Sequence, residues 1–175
     1  SDWRISTRST LDGKCNFNMD SNITYRYMFL DAMNHIGMEF YHLRKDFSYS
    51  FVLQHPKNRI VVPIKYPDII LTNVYKIYEN GEFLSNIKEV DIDSLIMNKS
   101  FKILKNYNPA SKEDMDELFT SFKYTGNSWK DLLIYFGSEN IDYKIQGIVI
   151  YNKNGERTKL RNSTYEKIKH LKGNS

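Results

Sequence analysis

The sequence predicts an α+β fold with mostly antiparallel sheets and flanking helices. Three observations carry this. β-rich runs end at hairpin-type turns, apolar residues at helical spacing lie between groups of strands, and the regular strand–helix alternation of a parallel sheet is missing. A length of 175 residues suits one compact domain, residues 1–175. A chain of that size can bury roughly 70% of its unfolded surface, so an ordinary core needs neither disulfides nor a structural metal. Hydrophobic residues at 41% and charged residues at 26% exclude a disordered chain. No apolar run approaches the roughly 20 residues of a membrane span, so no membrane partner is expected. Cys15 is the one cysteine, which fits a reducing, cytoplasmic compartment, that of a host cell for a viral protein included. The start at Ser1-Asp2-Trp3 has no initiator Met and no secretory pattern, and reads as the cut end of something longer.

Taken in order, Trp3-Arg4-Ile5-Ser6-Thr7 alternates apolar and polar side chains as a half-buried strand does, and Asp12-Gly13 marks a turn. From Thr24 to about Tyr41, the residues Tyr25, Met28, Phe29, Ala32, Met33, Ile36 and Phe40 recur at helical spacing. Tyr49 to Gln54 reads as a strand that stops at His55-Pro56, because proline cannot donate to a ladder. Ile60-Val61-Val62-Pro63 continues the extended chain past Asn58. Residues Ile69 to Tyr78 form the longest β-rich run, and Asn80-Gly81 after it is a hairpin signal. Ser111-Lys112-Glu113-Asp114 and Ser128-Trp129-Lys130-Asp131 resemble helix starts. Apolar spacing follows them, through Met115, Leu118, Phe119 and Phe122, and through Leu132, Leu133, Tyr135 and Phe136. Ile145 to Tyr151 is a strand that turns at Asn154-Gly155 into Arg157 to Arg161. Ser163-Thr164-Tyr165-Glu166 then caps a basic final helix.

The charge is unevenly placed. The net charge is +4, but residues 153–172 hold seven cations against Glu156 and Glu166, a local +5 that leaves −1 for the remainder. A focused basic segment fits an anionic partner, a phosphate or nucleic acid; a solvated helix face is the plainer alternative. Lys159 and Arg161 alternate along one strand, so both cations share a face opposite Leu160. The neighbouring strand carries Gly147, where a ligand or a second backbone can approach closely. A phosphate-binding sheet face and a solvated edge both satisfy this pattern.

Other chemistries are poorly supported. Cys15 has no nucleophile signature around it and reads as a small buried residue. His35 and His42 could share a helix face, but a seven-residue offset is not a zinc motif, and core packing is the expected role. There is no GxxxxGK[ST] phosphate loop and no GxGxxG. No metal ligands are assigned.

Four blocks occur in order: Ser6-Thr7-Arg8-Ser9, residues Ser50 to Val61 with Pro56-Lys57-Asn58-Arg59-Ile60-Val61, the strand Ile145 to Ile150, and Lys159-Leu160-Arg161-Asn162-Ser163-Thr164-Tyr165. Together they resemble the post-nucleophile strand and motifs III, IV and V of ATP-dependent RNA ligases of the bacteriophage RNA ligase 1 and tRNA ligase type. The likeness spans nearly the whole chain. It implies the adenylation domain of the covalent nucleotidyltransferases, an ATP-grasp-like α+β fold. The implied activity, used in RNA repair, joins an RNA 5′-phosphate to a 3′-hydroxyl through lysyl-AMP and RNA-adenylate, with ATP and Mg²⁺. It also implies roles for residues. Lys159 and Arg161 would hold the ATP phosphates as catalytic residues, Arg8 would contact a nucleotide or RNA phosphate, Gln54 would face the nucleotide, and Gln146 would take the motif IV position.

The sequence departs from the family at three places. The nucleophile motif K-x-[DH]-G is not visible: Thr10-Leu11-Asp12-Gly13 has threonine where lysine should stand, so the lysine is expected upstream of Ser1. Gln54 and Gln146 stand where glutamates are common, and a neutral amide adds no charge to a metal site. A catalytically degenerate RNA- or nucleotide-binding module of the same fold is therefore the alternative. A DNA ligase or capping relative is a weaker one. Taken without the family, Arg8 is an ordinary exposed arginine, Asn58 pins the turn after Pro56, and Tyr165 packs the last helix.

Overall fold

The computed structural model describes residues 3–17, 22–78, 80, 83–85, 102–103, 129–138, 141–151, 154 and 156–172. The chain divides into two compact units: Ser1–Arg59 with Ile64–Lys105, and Ile60–Pro63 with Asn106–Ser175. Both mix helix and strand, and their sheets are small and mostly antiparallel, as an α+β chain requires.

The first unit is built on a helix and a four-stranded sheet. Helix α1, Tyr25–His35, starts where Thr24 Oγ1 accepts the Tyr27 N–H at 3.1 Å. Its buried residues Met28, Ala32 and Met33 follow the helical period. The helix ends well short of Tyr41. Gly37 adopts φ +69°, its N–H donates to Asn34 O, and the Met38 N–H donates back to Met33 O at 2.9 Å. This is a Schellman termination with the hydrophobic pair Met33 and Met38 buried beneath it. Phe40, which extended the apolar spacing in the sequence, belongs to a separate 3₁₀ turn, Phe40–His42.

Strand β1, Phe47–Gln54, pairs antiparallel with β2, Asp68–Ile77. On the other edge of β2 lie β3, Phe83–Ser85, antiparallel, and β4, Lys102–Ile103, parallel. The β1–β2 register shifts between Ser50 and Phe51, leaving Thr72 as the extra residue of a bulge, where its hydroxyl donates to Ser50 O at 3.0 Å. The bulge keeps Ile69 and Leu71 on one side of it, and Val74 on the other, facing the same core. Phe47, Tyr49, Phe51 and Leu53 of β1 meet them there, with α1, Trp3 and Phe40 completing the cluster. Ser48, Ser50, Val52 and Gln54 stand on the opposite side of the sheet.

Residues 3–7 do show alternating burial, yet they form no strand, because no ladder partner lies beside them among the described residues. Residues 60–62 form bends and not a strand. The helix expected from Ser111, and the glycines of the two hairpin signals, Gly81 and Gly155, lie outside the described residues.

The second unit carries α2, Trp129–Gly137, the antiparallel pair β5, Gly147–Tyr151, and β6, Arg157–Arg161, and then α3, Ser163–Lys172. Leu132, Phe136 and Ile141 form its buried core, with Ile145, Ile148 and Leu160 packed against them. No helix of the described residues is long and apolar enough to cross a membrane.

Candidate functional site

The β5–β6 hairpin gathers three of the residues singled out in the sequence. Its register pairs Gly147 with Arg161, Ile148 with Leu160 and Val149 with Lys159. Leu160 turns into the core, while Arg157, Lys159 and Arg161 are exposed. At a strand rise of about 3.3 Å per residue, successive cations of this row stand about 6.6 Å apart. Their cross-strand partners Tyr151, Val149 and Gly147 bring no charge. Lys159 has no ion-pair partner among the described residues. Arg161 does: its Nη1 donates to Glu166 Oε2 at 3.3 Å, from the first turn of α3. Arg157 and Lys159 thus have no ion pair among the described residues, while part of the Arg161 charge is already answered. Gln146, exposed at the base of β5, contributes its carbonyl to the Asn162 N–H at 3.0 Å.

Gly147 is fixed by backbone proximity. Its φ is +139°, and a Cβ there would collide with the Leu160 carbonyl oxygen. The close approach foreseen at this glycine is thus made by the partner strand.

The scaffold of the hairpin is a residue to which the sequence reading gave no role. Asn162 is wholly buried, and every polar group on it is used. Its Nδ2 donates to Asp142 O at 2.9 Å and to Ile145 O at 2.8 Å, and its Oδ1 accepts the Thr164 N–H at 2.9 Å. Its carbonyl takes the Glu166 N–H. Asn162, not Ser163, is the N-cap of α3. Ser163 instead donates its hydroxyl to Gly137 O at 3.0 Å, closing the end of α2. One amide thereby joins the chain entering β5, the end of β6 and the start of α3. The signal available was an Asn immediately before Ser-Thr-Tyr-Glu, a residue type that caps as well as serine.

The other two site candidates lie in the first unit. Arg8 sits exposed at the tip of a loop closed by Thr7 N–H to Thr10 O at 2.9 Å and Thr10 N–H to Thr7 Oγ1 at 3.2 Å. Gln54, partly exposed, ends β1 opposite Asp68. Cys15 is not buried as expected. Its thiol is held below the ordinary value by hydrogen bonding with the Thr10 and Thr7 hydroxyls, and Thr7 Oγ1 lies 3.5 Å from Sγ. His35 and His42 do not share a helix: His35 ends α1 at the surface, and His42 Nδ1 accepts the Glu39 N–H at 2.9 Å in the following turn.

His55 is 3% exposed. Its Nδ1 accepts the Lys57 N–H at 3.1 Å, which leaves the proton on Nε2, donated to Asp31 Oδ2 at 2.9 Å. Both ring nitrogens are engaged in fastening the Pro56–Asn58 turn to α1, a structural duty.

Among the described residues, no three His, Cys, Asp or Glu side chains converge to hold a metal ion. At the hairpin the candidate metal-side donor is the neutral amide of Gln146, whereas a hard divalent cation favours carboxylate oxygens. No protein family matches this chain, and no curated protein matches it.

Proposed function

We propose that the chain is the adenylyltransferase part of an ATP-dependent RNA ligase of the bacteriophage RNA ligase 1 and tRNA ligase type, with the nucleotidyltransferase version of the α+β fold. The observation that carries the reading is the exposed Lys159 on β6. It is an ammonium without a carboxylate partner among the described residues, on a hairpin whose other strand begins beside Gln146. The order of the four sequence blocks supports the same reading.

Chemically, Lys159 supplies a positive charge to phosphate oxygens, and no acid among the described residues forms an ion pair with it. Arg161 engages Glu166 through one Nη1 contact, so its remaining N–H groups can serve a second acceptor, and Glu166 fixes the direction in which the guanidinium points. Gln146 can hydrogen-bond a ribose hydroxyl. Magnesium would accompany the ATP phosphates, and one neutral amide does not make a site for the free ion. The sequence contains no K-x-[DH]-G string, and no covalent step is assigned to a lysine of this chain.

The test is calorimetric titration of ATP into the chain and into Lys159→Ala. Loss of a charge-assisted phosphate contact should weaken binding about tenfold or more, with the circular dichroism spectrum unchanged because an exposed strand cation contributes little stability. Equal affinities would refute the assignment. The neutral Gln54 and Gln146 favour a second reading, a nucleotide- or RNA-binding module without catalysis. It predicts ATP binding by the chain with no end joining by the intact protein.

A further inference from the structure

We propose that the outer side of α1 is a binding strip for single-stranded nucleic acid, made of two aromatic platforms, each accompanied by a lysine. Three contacts follow one side of the helix at four-residue steps. At Tyr27, the ring is 51% exposed and Lys57 Nζ lies 5.7 Å from its centroid. At Asp31, the carboxylate receives the buried His55 Nε2–H. At His35, the imidazole lies parallel to the Tyr66 ring, 5.8 Å between centroids at 9°, and Lys65 Nζ stands 5.1 Å from the Tyr66 centroid. Tyr66 is itself 56% exposed.

The chemistry selects the occupant. A half-exposed aromatic ring beside a flexible ammonium offers a π-face to a base and a cation to the adjoining phosphate, the pairing that binds single strands without sequence preference. The His35–Tyr66 pair is a stack already begun, which a base can extend. Along α1 the two platforms are eight residues apart, about 12 Å at 1.5 Å per residue, a span that fits two or three nucleotides of an extended strand.

Charge agrees. From Phe47 to Pro67 the chain carries Lys57, Arg59 and Lys65 and no Asp or Glu. The one carboxylate on the strip, Asp31, already accepts a hydrogen bond from His55. An apolar protein partner would gain little from a surface interrupted by these charges, whereas a polyanion gains at each lysine. The strip uses none of the residues of the β5–β6 hairpin, so it stands or falls separately from the ligase reading.

The experiment is fluorescence anisotropy of the full chain with 5′-labelled 12-nucleotide RNA and DNA single strands, and with the matching duplexes. Tyr27→Ala and Tyr66→Ala are each expected to weaken single-strand binding by about 5- to 150-fold, the range of one lost base stack. Tyr27→Phe and Tyr66→Phe, which keep the ring, should remain within about twofold of wild type, since the stacking face is retained. Lys57→Gln and Lys65→Gln should each lower the slope of log affinity against log salt by about 0.7. The RNA and DNA arms then identify which strand is preferred. The proposal is overturned by absence of single-strand binding, by equal binding of duplex, by alanine variants that bind as wild type, by phenylalanine variants that fail like alanine, or by unchanged salt slopes. Loss of ATP binding in Lys159→Ala with an intact strip response would separate the two sites, whereas the same loss with no strip response would reject the strip alone.

Discussion

At the scale of the residue, Asn162 does the work that lets Lys159 and Arg161 face outward in a defined way. Its buried side chain satisfies two carbonyls that enter β5 and one N–H that opens α3. Replacing it with alanine orphans these three groups and removes a helix cap, so Asn162→Ala should destabilise the fold by about 2 to 4 kcal/mol. Urea denaturation followed by circular dichroism checks this, and a change below about 0.5 kcal/mol, the scale of an ordinary surface substitution, would contradict the role. The cation pair itself was legible in the sequence through strand alternation. Its coupling to Glu166 was not, because a pair that bridges a strand and the following helix leaves no periodic trace. The cap was misplaced by one residue because Asn and Ser cap equally well, and only burial distinguishes them.

At the scale of the element, the strands were readable where β-rich runs met turn chemistry. β1 stops at His55-Pro56, and β5 turns into β6 through a hairpin, as their residues dictate. Two elements were misread for physical reasons. The Trp3–Thr7 alternation is a burial pattern, and burial alternates equally well in a single extended segment laid on a core with no hydrogen-bonded neighbour. The first helix was read too long because apolar spacing continues across Gly37, while the backbone does not. At φ +69° an alanine would pay the left-handed penalty without gaining any contact, since nothing lies within 4 Å of the position. Gly37→Ala should therefore lower stability by about 1 kcal/mol. Thermal melts of the variant and wild type test this; an unchanged or raised midpoint would mean that the Schellman geometry is not maintained. The Thr72 bulge was invisible to a period-two reading, yet it alone explains why Leu71 and Val74, three residues apart, share one core.

At the scale of the whole molecule, each unit carries a phenol whose ionisation is opposed by burial. Desolvation pushes Tyr49 in the first unit, and Tyr165 in the second, above the ordinary 10.0, with Glu166 adding to the effect at Tyr165. The unfolded chain releases these protons first as pH rises. The stability they contribute is therefore fully present below pH 10.0 and is lost as pH climbs through the folded values. Urea midpoints measured from pH 8 to 11 should fall above about pH 10, and Tyr165→Phe should flatten part of that fall, since it removes one shifted phenol. An identical fall in the variant would contradict the assignment to Tyr165.

The charge distribution acts at the same scale: a remainder close to neutral adjoins a C-terminal segment of +5 that includes the exposed Lys159. The most direct measurement is equilibrium binding of α-³²P-labelled ATP to the chain and to its Lys159→Ala variant. The account predicts ATP binding that Lys159→Ala weakens about tenfold or more; no ATP binding by the wild-type chain, or equal binding by the variant, would contradict it.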